Sequence, residues 1–209
     1  MTPAVLIPRP DSETLVDQCR EVATLREYPQ ILDIGTGSGC LAIAAAHQIP
    51  QAHVTAVDLS EAALEVAKRN AERHNVVDRI TFLHGNLFEP IPPGESYDII
   101  MSNPPYIPTE DVENLEVNVR DYEPRLALDG GNDGFAIFDR LIAQAPNFFG
   151  QTGYLLLEIG SPQEKPARER IRALSFYELA PTIFDHGGLP RVLKATYRRP
   201  VHESGTEPF

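Results

Sequence analysis

Cysteine is scarce in this chain: Cys19 and Cys40 are the only two among 209 residues. Two thiols are too few for a disulfide framework, and with six scattered histidines they form no zinc-like spacing, so no metal site is expected. Both read as small buried apolar residues. Long apolar runs are missing as well. The longest, such as Leu41 to Ala46, fall far short of the ~20 residues that span a bilayer. No charged-then-apolar leader opens the chain, so a soluble, cytoplasmic protein with no membrane partner is expected. Positive charge is the third deficit, with 18 Lys and Arg against 30 Asp and Glu and a formal net charge of -12. A surface of that sign repels a polyanion, which makes nucleic acid a poor first expectation as partner. The local clusters Arg168, Arg170, Arg172 and Arg198, Arg199 read as solvated faces.

What is present suffices for one globular domain with a sizeable core: 42% of the residues are hydrophobic and 23% charged. Apolar positions Leu15, Val16, Cys19, Val22 and Ala23 recur at helical spacing within Asp11 to Arg26. Short apolar runs then alternate with helical patterns. Strands are expected at Gln30–Ile34, Val54–Asp58, Arg79–Leu83, Tyr97–Ser102, Gly153–Ile159, Tyr177–Phe184 and Arg191–Tyr197. Helices are expected at Ser38–Gln48, Glu61–His74 with Ser60 as cap, Gly134–Phe148 and Gln163–Leu174. The alternation predicts an α/β fold, a mainly parallel sheet with helices on both faces. Residues 1–29 read as a segment and helix ahead of a core domain at 30–199, and residues 200–209 as a frayed tail.

In an open sheet of this kind the ligand sits beyond the carboxyl ends of the strands, where the strand order reverses. The first loop there is Asp33-Ile34-Gly35-Thr36-Gly37-Ser38-Gly39. Glycines are needed where backbone turns tightly or a ligand packs against it. A dinucleotide fingerprint wants glycine or alanine where Cys40 stands, so the loop favours a cofactor without a pyrophosphate. Asp58, with Leu59 beside it, ends the second strand, where a carboxylate can accept from both ribose hydroxyls. Gly85-Asn86-Leu87-Phe88 follows the third strand and offers an amide and apolar cover to a base, although Gly-Asn is equally at home in any turn.

Asn103-Pro104-Pro105-Tyr106 follows the fourth strand. Two prolines lock the backbone and remove two N–H donors, so the loop presents carbonyl oxygens at fixed angles. The Asn103 side-chain oxygen and the Pro104 carbonyl can each accept one hydrogen of an NH2 group, and Tyr106 supplies an aromatic wall. A rigid turn without chemistry and a docking peptide for another protein are the competing readings. The latter requires a disordered context rather than the end of a central strand.

The order Asp-Ile-Gly-Thr-Gly-Ser-Gly, then Asp58, then Asn103 to Tyr106 resembles the class I S-adenosylmethionine methyltransferases that act on planar or amide NH2 groups. More narrowly, Leu6 to Glu13, Val119 to Pro124 and Ala127 to Gly131 are similar to the release factor glutamine methyltransferases, and the likeness runs from about Leu6 to Tyr197. It implies a Rossmann-like, mainly parallel seven-stranded sheet with an antiparallel last strand, and methylation of the glutamine nitrogen in the Gly-Gly-Gln loop of a peptide chain release factor. By the same resemblance Asp33 and the Gly35, Thr36, Gly37, Ser38, Gly39 loop pack against the methionine part of S-adenosylmethionine. Asp58 and Leu59 hold its ribose, Asn86 and Leu87 flank its adenine, and Asn103 also touches the cofactor. Arg9, Asn103, Pro104, Pro105, Tyr106 and Glu123 bind substrate, with Asn103 to Tyr106 carrying catalysis. Asn86 departs from the family's common aspartate and Ser12 from its common threonine. The resemblance also implies a helical domain ahead of the Pro-Arg-Pro segment, whereas this sequence starts at Met1, a few residues before that segment.

An amide nitrogen is a weak nucleophile and the sulfonium methyl a strong electrophile, so geometry matters more than a base and no dedicated catalytic histidine is expected. The polar stretch from Ile107 to Gly134 is too long for a simple connection and reads as a loop closing over substrate. Three other assignments stay open: an adenine methyltransferase acting on nucleic acid, a ribosomal-protein glutamine methyltransferase, and a cofactor-binding scaffold without turnover.

Overall fold

The computed structural model describes residues 4–200. The expected frayed tail, apart from its first residue, lies outside the described residues. The chain runs α1 (Glu13–Ala23), β1 (Gln30–Ile34), α2 (Cys40–Gln48), β2 (His53–Asp58), α3 (Glu61–Arg73), β3 (Ile80–His84), β4 (Tyr97–Ser102), α4 (Val117–Arg120), α5 (Ala136–Gln144), β5 (Phe149–Glu158), α6 (Glu164–Arg172), β6 (Tyr177–Leu179), β7 (Ile183–Phe184) and β8 (Pro190–Arg198). The sheet order is β3-β2-β1-β4-β5-β8-β6, with β7 also paired to β8. β1 to β5 pair in parallel, and β8 is antiparallel to β5, β6 and β7.

Parallel strands buried on both faces are apolar at nearly every position. Along β5, Leu155 and Leu157 face one core and Leu156 the other; along β4, Ile100 and the pair Ile99, Met101 divide the same way. One core takes Phe138, Leu141 and Ile142 of α5 with Ala167 and Ile171 of α6. The other takes Leu15, Val16 and Cys19 of α1, the alanine-rich α2 and Ala71 of α3. Among the described residues no helix is long and apolar enough to cross a membrane.

Among the described residues the sheet has eight strands rather than seven, because the segment expected as one strand from Tyr177 to Phe184 divides into β6 and β7. Pro181 interrupts it, having no N–H to give to a ladder. The break is anchored by Arg168, whose guanidinium donates to the Ala180 carbonyl and to Thr182 Oγ1. The four helices with expected bounds are all shorter than expected, and for two of them the cause is local. Gly39 sits in the left-handed region at φ 80° and starts α2 at Cys40, and α5 passes into a tighter turn at Ala145-Pro146. The long stretch after β4 is not a bare loop. It carries α4 and short 3-10 turns, and it folds back so that Ile107 bridges Asp129.

Candidate active site

The strand order reverses between β1 and β4, and the carboxyl ends of β1, β2 and β4 open onto one cleft of about 220 Å³. Ser102, the last residue of β4, donates from Oγ to the Ile34 carbonyl at 2.7 Å and ties the two central strand ends together.

On one side of the cleft the wall is backbone. Gly35 and Gly37 line it at φ +73° and +56°, and a Cβ on either would stand in open space. Only glycine adopts that conformation cheaply, so the loop forms a cradle bare of side chains. The Gly35 and Thr36 N–H groups donate to the Val57 carbonyl at 2.8 and 3.0 Å, which pins the loop across β2. Asp58 lies on the wall with each carboxylate oxygen engaged once, Oδ2 by the Gly37 N–H at 2.7 Å and Oδ1 by the Ser60 N–H at 2.8 Å. A carboxylate oxygen accepts two hydrogen bonds, so one site on each oxygen remains for a vicinal diol. Leu59 and Leu87 add apolar cover. Leu87 holds a left-handed φ of 53°, and Asn86 donates from Nδ2 to Glu89 Oε1 at 2.9 Å, which leaves its oxygen as the acceptor.

The opposite side of the cleft comes from the loop after β4 and two distant segments. Asn103, Pro104 and Pro105 line it, together with Arg9 and Ser12 from the N-terminal segment and Pro124, Leu126, Ala127 and Asp129 from the folded-back stretch. Asn103 donates from Nδ2 to Ser12 Oγ at 3.3 Å. Gly130 fits so tightly behind this loop that a Cβ there would lie 2.8 Å from the Pro105 carbonyl oxygen and from Tyr106 Cα.

Twelve expected site residues therefore converge on one cleft: Arg9, Gly35, Thr36, Gly37, Ser38, Asp58, Leu59, Asn86, Leu87, Asn103, Pro104 and Pro105. Four do not line it. Asp33 is fully buried behind the glycine loop, where its Oδ2 accepts from Thr36 Oγ1 at 2.6 Å and its Oδ1 has no partner. Burial, with a smaller push from Asp58, raises its pKa to about 7 against the pull of the Thr36 hydrogen bond and the nearby Ala42 backbone N–H. Gly39 faces α3, and a Cβ there would meet Ala67 Cβ at 3.0 Å, so its glycine serves helix packing rather than a ligand. Tyr106 turns its ring toward Gly160, behind the wall it was expected to form. Glu123 is buried and receives the Arg9 guanidinium at 2.6 Å, so it acts on the cleft through Arg9. Cys40 also departs from expectation. Cys19 is buried, whereas Cys40 is exposed at the start of α2 and lines the cleft. Burial and the nearby Asp33 push the Cys19 thiol up to about 12.

Glu158 is the residue the sequence reading passed over. It closes the run Leu155-Leu156-Leu157 at the end of β5 and is 2% exposed. Its signal was an acid ending an otherwise apolar central strand. None of the histidines among the described residues lines the cleft.

Fold and cleft together define the class I methyltransferase architecture, and residues 12–119 match the methyltransferase small domain family. The chain is 43% identical to the release factor glutamine methyltransferase of Geobacter sulfurreducens, with 92% of this chain and 66% of that protein covered. It is 42% identical to the protein of the same name from Moorella thermoacetica, with 95% and 69% covered, so it spans about two thirds of these relatives' length. Among solved structures it is similar to a release-factor-specific protein-(glutamine-N5) methyltransferase from Alicyclobacillus acidocaldarius. There the identity is 26% and the TM-score 0.57, over 95% of this chain and 99% of that one. The chain belongs to the release factor glutamine methyltransferase family.

Proposed function

We propose that this chain methylates the side-chain nitrogen of a protein glutamine, the glutamine of the Gly-Gly-Gln loop of a peptide chain release factor, with S-adenosylmethionine as donor. The observation that carries the reading is the shared cleft. A side-chain-free glycine cradle and a half-engaged Asp58 stand on one side, and the rigid Asn103-Pro104-Pro105 acceptor loop on the other. The residues suit the donor. Gly35 and Gly37 leave room where a Cβ would otherwise project, Asp58 keeps two acceptor sites for the ribose hydroxyls, and Asn86 and Leu87 offer an acceptor and apolar cover for the adenine.

When bound, S-adenosylmethionine supplies an electrophilic methyl group. The protein's task is to hold a weakly nucleophilic amide nitrogen in line with it. Asn103 Oδ1 and the Pro104 carbonyl each accept one N–H of the glutamine amide, which fixes the nitrogen's direction. Placement of that kind contributes on the order of 7–11 kcal/mol to lowering a bimolecular barrier. The same two acceptors strengthen as positive charge develops on nitrogen. A positively charged N-alkylated amide is very acidic, so its proton passes to water and no histidine is required. Arg9, held by Glu123, offers its remaining donors to the protein substrate at the cleft mouth. A cytoplasmic setting and division into a substrate-side segment at 1–29 and a methyltransferase domain at 30–199 belong to this reading.

The test offers the protein a labelled methyl donor with a release factor, a Gln→Ala release factor, a ribosomal protein and a DNA duplex in separate reactions. Label on the release factor that disappears with the Gln→Ala change supports the reading. Label on DNA or on the ribosomal protein instead replaces the substrate, and label nowhere removes the activity.

A further inference from the structure

Asn103 has a problem that its own loop does not solve. An amide side chain has an acceptor end and a donor end of nearly equal shape, and turning it over by 180° about its terminal bond exchanges them. If Asn103 turned its NH2 into the cleft, it would meet the glutamine amide donor to donor. Something must hold the oxygen on the cleft side.

The neighbouring strand brings the required group. β4 and β5 pair with Ser102 opposite Leu157, which sets the next residues, Asn103 and Glu158, side by side at the strand ends. Glu158 is buried, Ser12 is buried beside it, and Asn103 Nδ2 donates to Ser12 Oγ. Ser12 and Asn103 both stand close enough to the Glu158 carboxylate to favour its ionised form. A carboxylate accepts only, so it selects the orientation in which Asn103 presents its NH2 inward. Ser12 acts in the same direction, since a hydroxyl that gives its hydrogen to Glu158 has only lone pairs left for Asn103.

Glu158 is not consumed by another structural partner. Arg191, the cation nearest in this part of the fold, pairs with Asp185 at 2.9 Å and Asp11 at 3.2 Å. One Glu158 oxygen, Oε2, is buried with no hydrogen bond. A buried acid of this kind destabilises a fold unless its charge is used, because burial penalises the ionised form.

We infer that Glu158, relayed by Ser12, is a positioning residue that locks the Asn103 amide with its oxygen toward the cleft. The inference rests on the amide-methylation reading above for its consequence in turnover, but not for the orientation itself. The groups facing Glu158 are Arg191 from β8, Asp11 ahead of α1, Tyr106 after β4 and Cys40 at the start of α2. Burial raises the Glu158 pKa, with Asp11 adding to it, against the pull of Ser12, Arg191 and Asn103. Protonation converts one oxygen into a donor and removes the selection. Turnover of the parent therefore falls as pH drops through the raised Glu158 value, and a variant without the carboxyl lacks that limb.

The experiment compares the parent with E158Q, S12A and S12T. Two readouts are taken: nuclear magnetic resonance of the Asn103 side-chain NH2, and single-turnover methylation of a release factor at saturating S-adenosylmethionine across pH. In the parent the NH2 protons are expected to be protected from solvent exchange, and E158Q is expected to lose that protection. E158Q replaces a charged acceptor by a group that accepts or donates, so its turnover drops about tenfold. Its affinity for S-adenosylmethionine stays within about twofold and its acid limb disappears, because the cofactor side does not touch Glu158. S12A loses less, and S12T, which restores the hydroxyl, keeps the parent rate. Unchanged NH2 protection in E158Q overturns the inference whatever the turnover, as does a loss of cofactor affinity as large as the loss of rate. Altered protection together with a parent enzyme that methylates no protein upholds the positioning and overturns the proposed function instead.

Discussion

The two walls of the cleft are built by different means. The wall proposed for the cofactor is local: Gly35, Thr36 and Gly37 follow directly from β1, and Asp58 ends β2, with the contacts between them made mainly through backbone N–H and C=O groups. The amide wall is assembled from afar. Asn103 meets Ser12 across 91 positions of sequence, and Arg9 meets Glu123 across 114. Backbone conformation is robust to side-chain change elsewhere, whereas an orientation set by remote side chains is lost when any one of them changes. Substitutions on the amide wall should therefore reduce turnover while sparing cofactor binding, and substitutions on the cofactor wall should do the reverse.

The largest expected effect tests that separation directly. Asn103→Ala should slow single-turnover methylation of a release factor by ~100–1000-fold, the usual loss when a preorganised hydrogen-bond partner of developing charge is removed. Cofactor affinity measured by calorimetry should change little. Near-parent turnover would break the amide-wall assignment, and an equal loss of cofactor affinity would merge the two walls into one.

Asp58→Ala is the converse. Charge-assisted hydrogen bonds to the ribose are each worth roughly 1.5–3 kcal/mol, so S-adenosylmethionine should bind ~10–150-fold more weakly. The variant also frees the Gly37 and Ser60 N–H groups, which loosens the cradle in the same direction. Unchanged affinity in calorimetry would move the ribose site away from β2.

A smaller effect separates two glycines of one loop. Gly39→Ala places a Cβ 3.0 Å from Ala67 at φ +80°, so it should cost about 1–2 kcal/mol and lower the melting temperature by about 2–8 °C while cofactor affinity is kept. Gly37→Ala meets a similar φ penalty without a clash, but its Cβ enters the cleft and should weaken cofactor binding. Identical behaviour of the two variants would erase the distinction between packing and cradle.

A further test concerns Asp33, buried behind the cradle. Its folded carboxyl keeps its proton up to a pKa of about 7, whereas an unfolded chain releases it near ~3.9. Between those values the native state binds more protons than the unfolded one, so this residue's contribution to stability declines as pH rises through the window and is level above it. Asp33→Asn removes the ionisation. Urea unfolding from pH 4 to 8 should show the variant's stability relative to the parent rising up to about pH 7 and then flattening. A difference independent of pH would mean that Asp33 does not titrate in that range.

What could be read from the chain follows the same division. The strands β1 to β5, the glycine loop and Asp58 were legible because their signals are local: an apolar run, a glycine forced by positive φ, an acid at a strand end. The later strands were less so, since the break at Pro181 was passed over and one expected strand became two. Gly39 was assigned to the cofactor because a glycine needed for a helix neighbour looks, in sequence, like a glycine needed for a ligand. Cys40 was expected inside and stands exposed because it is the first residue of a helix at the cleft rim.

Glu123 and Glu158 mark the limit from the other side. Both are acids in sequence with nothing nearby to explain burial, and both are buried because distant partners, Arg9 in one case and Ser12 with Asn103 in the other, arrive only when the sheet is assembled. The sequence alone determined the alternation of elements, the glycine cradle, the acid that ends β2 and the rigid Asn103-Pro104-Pro105 loop, since each depends on φ/ψ preferences and polarity within a few residues. Only the tertiary structure decided which acids are solvated and which way the Asn103 amide points, because those depend on what lies across a strand ladder, and pairing partners carry no fixed spacing in the chain.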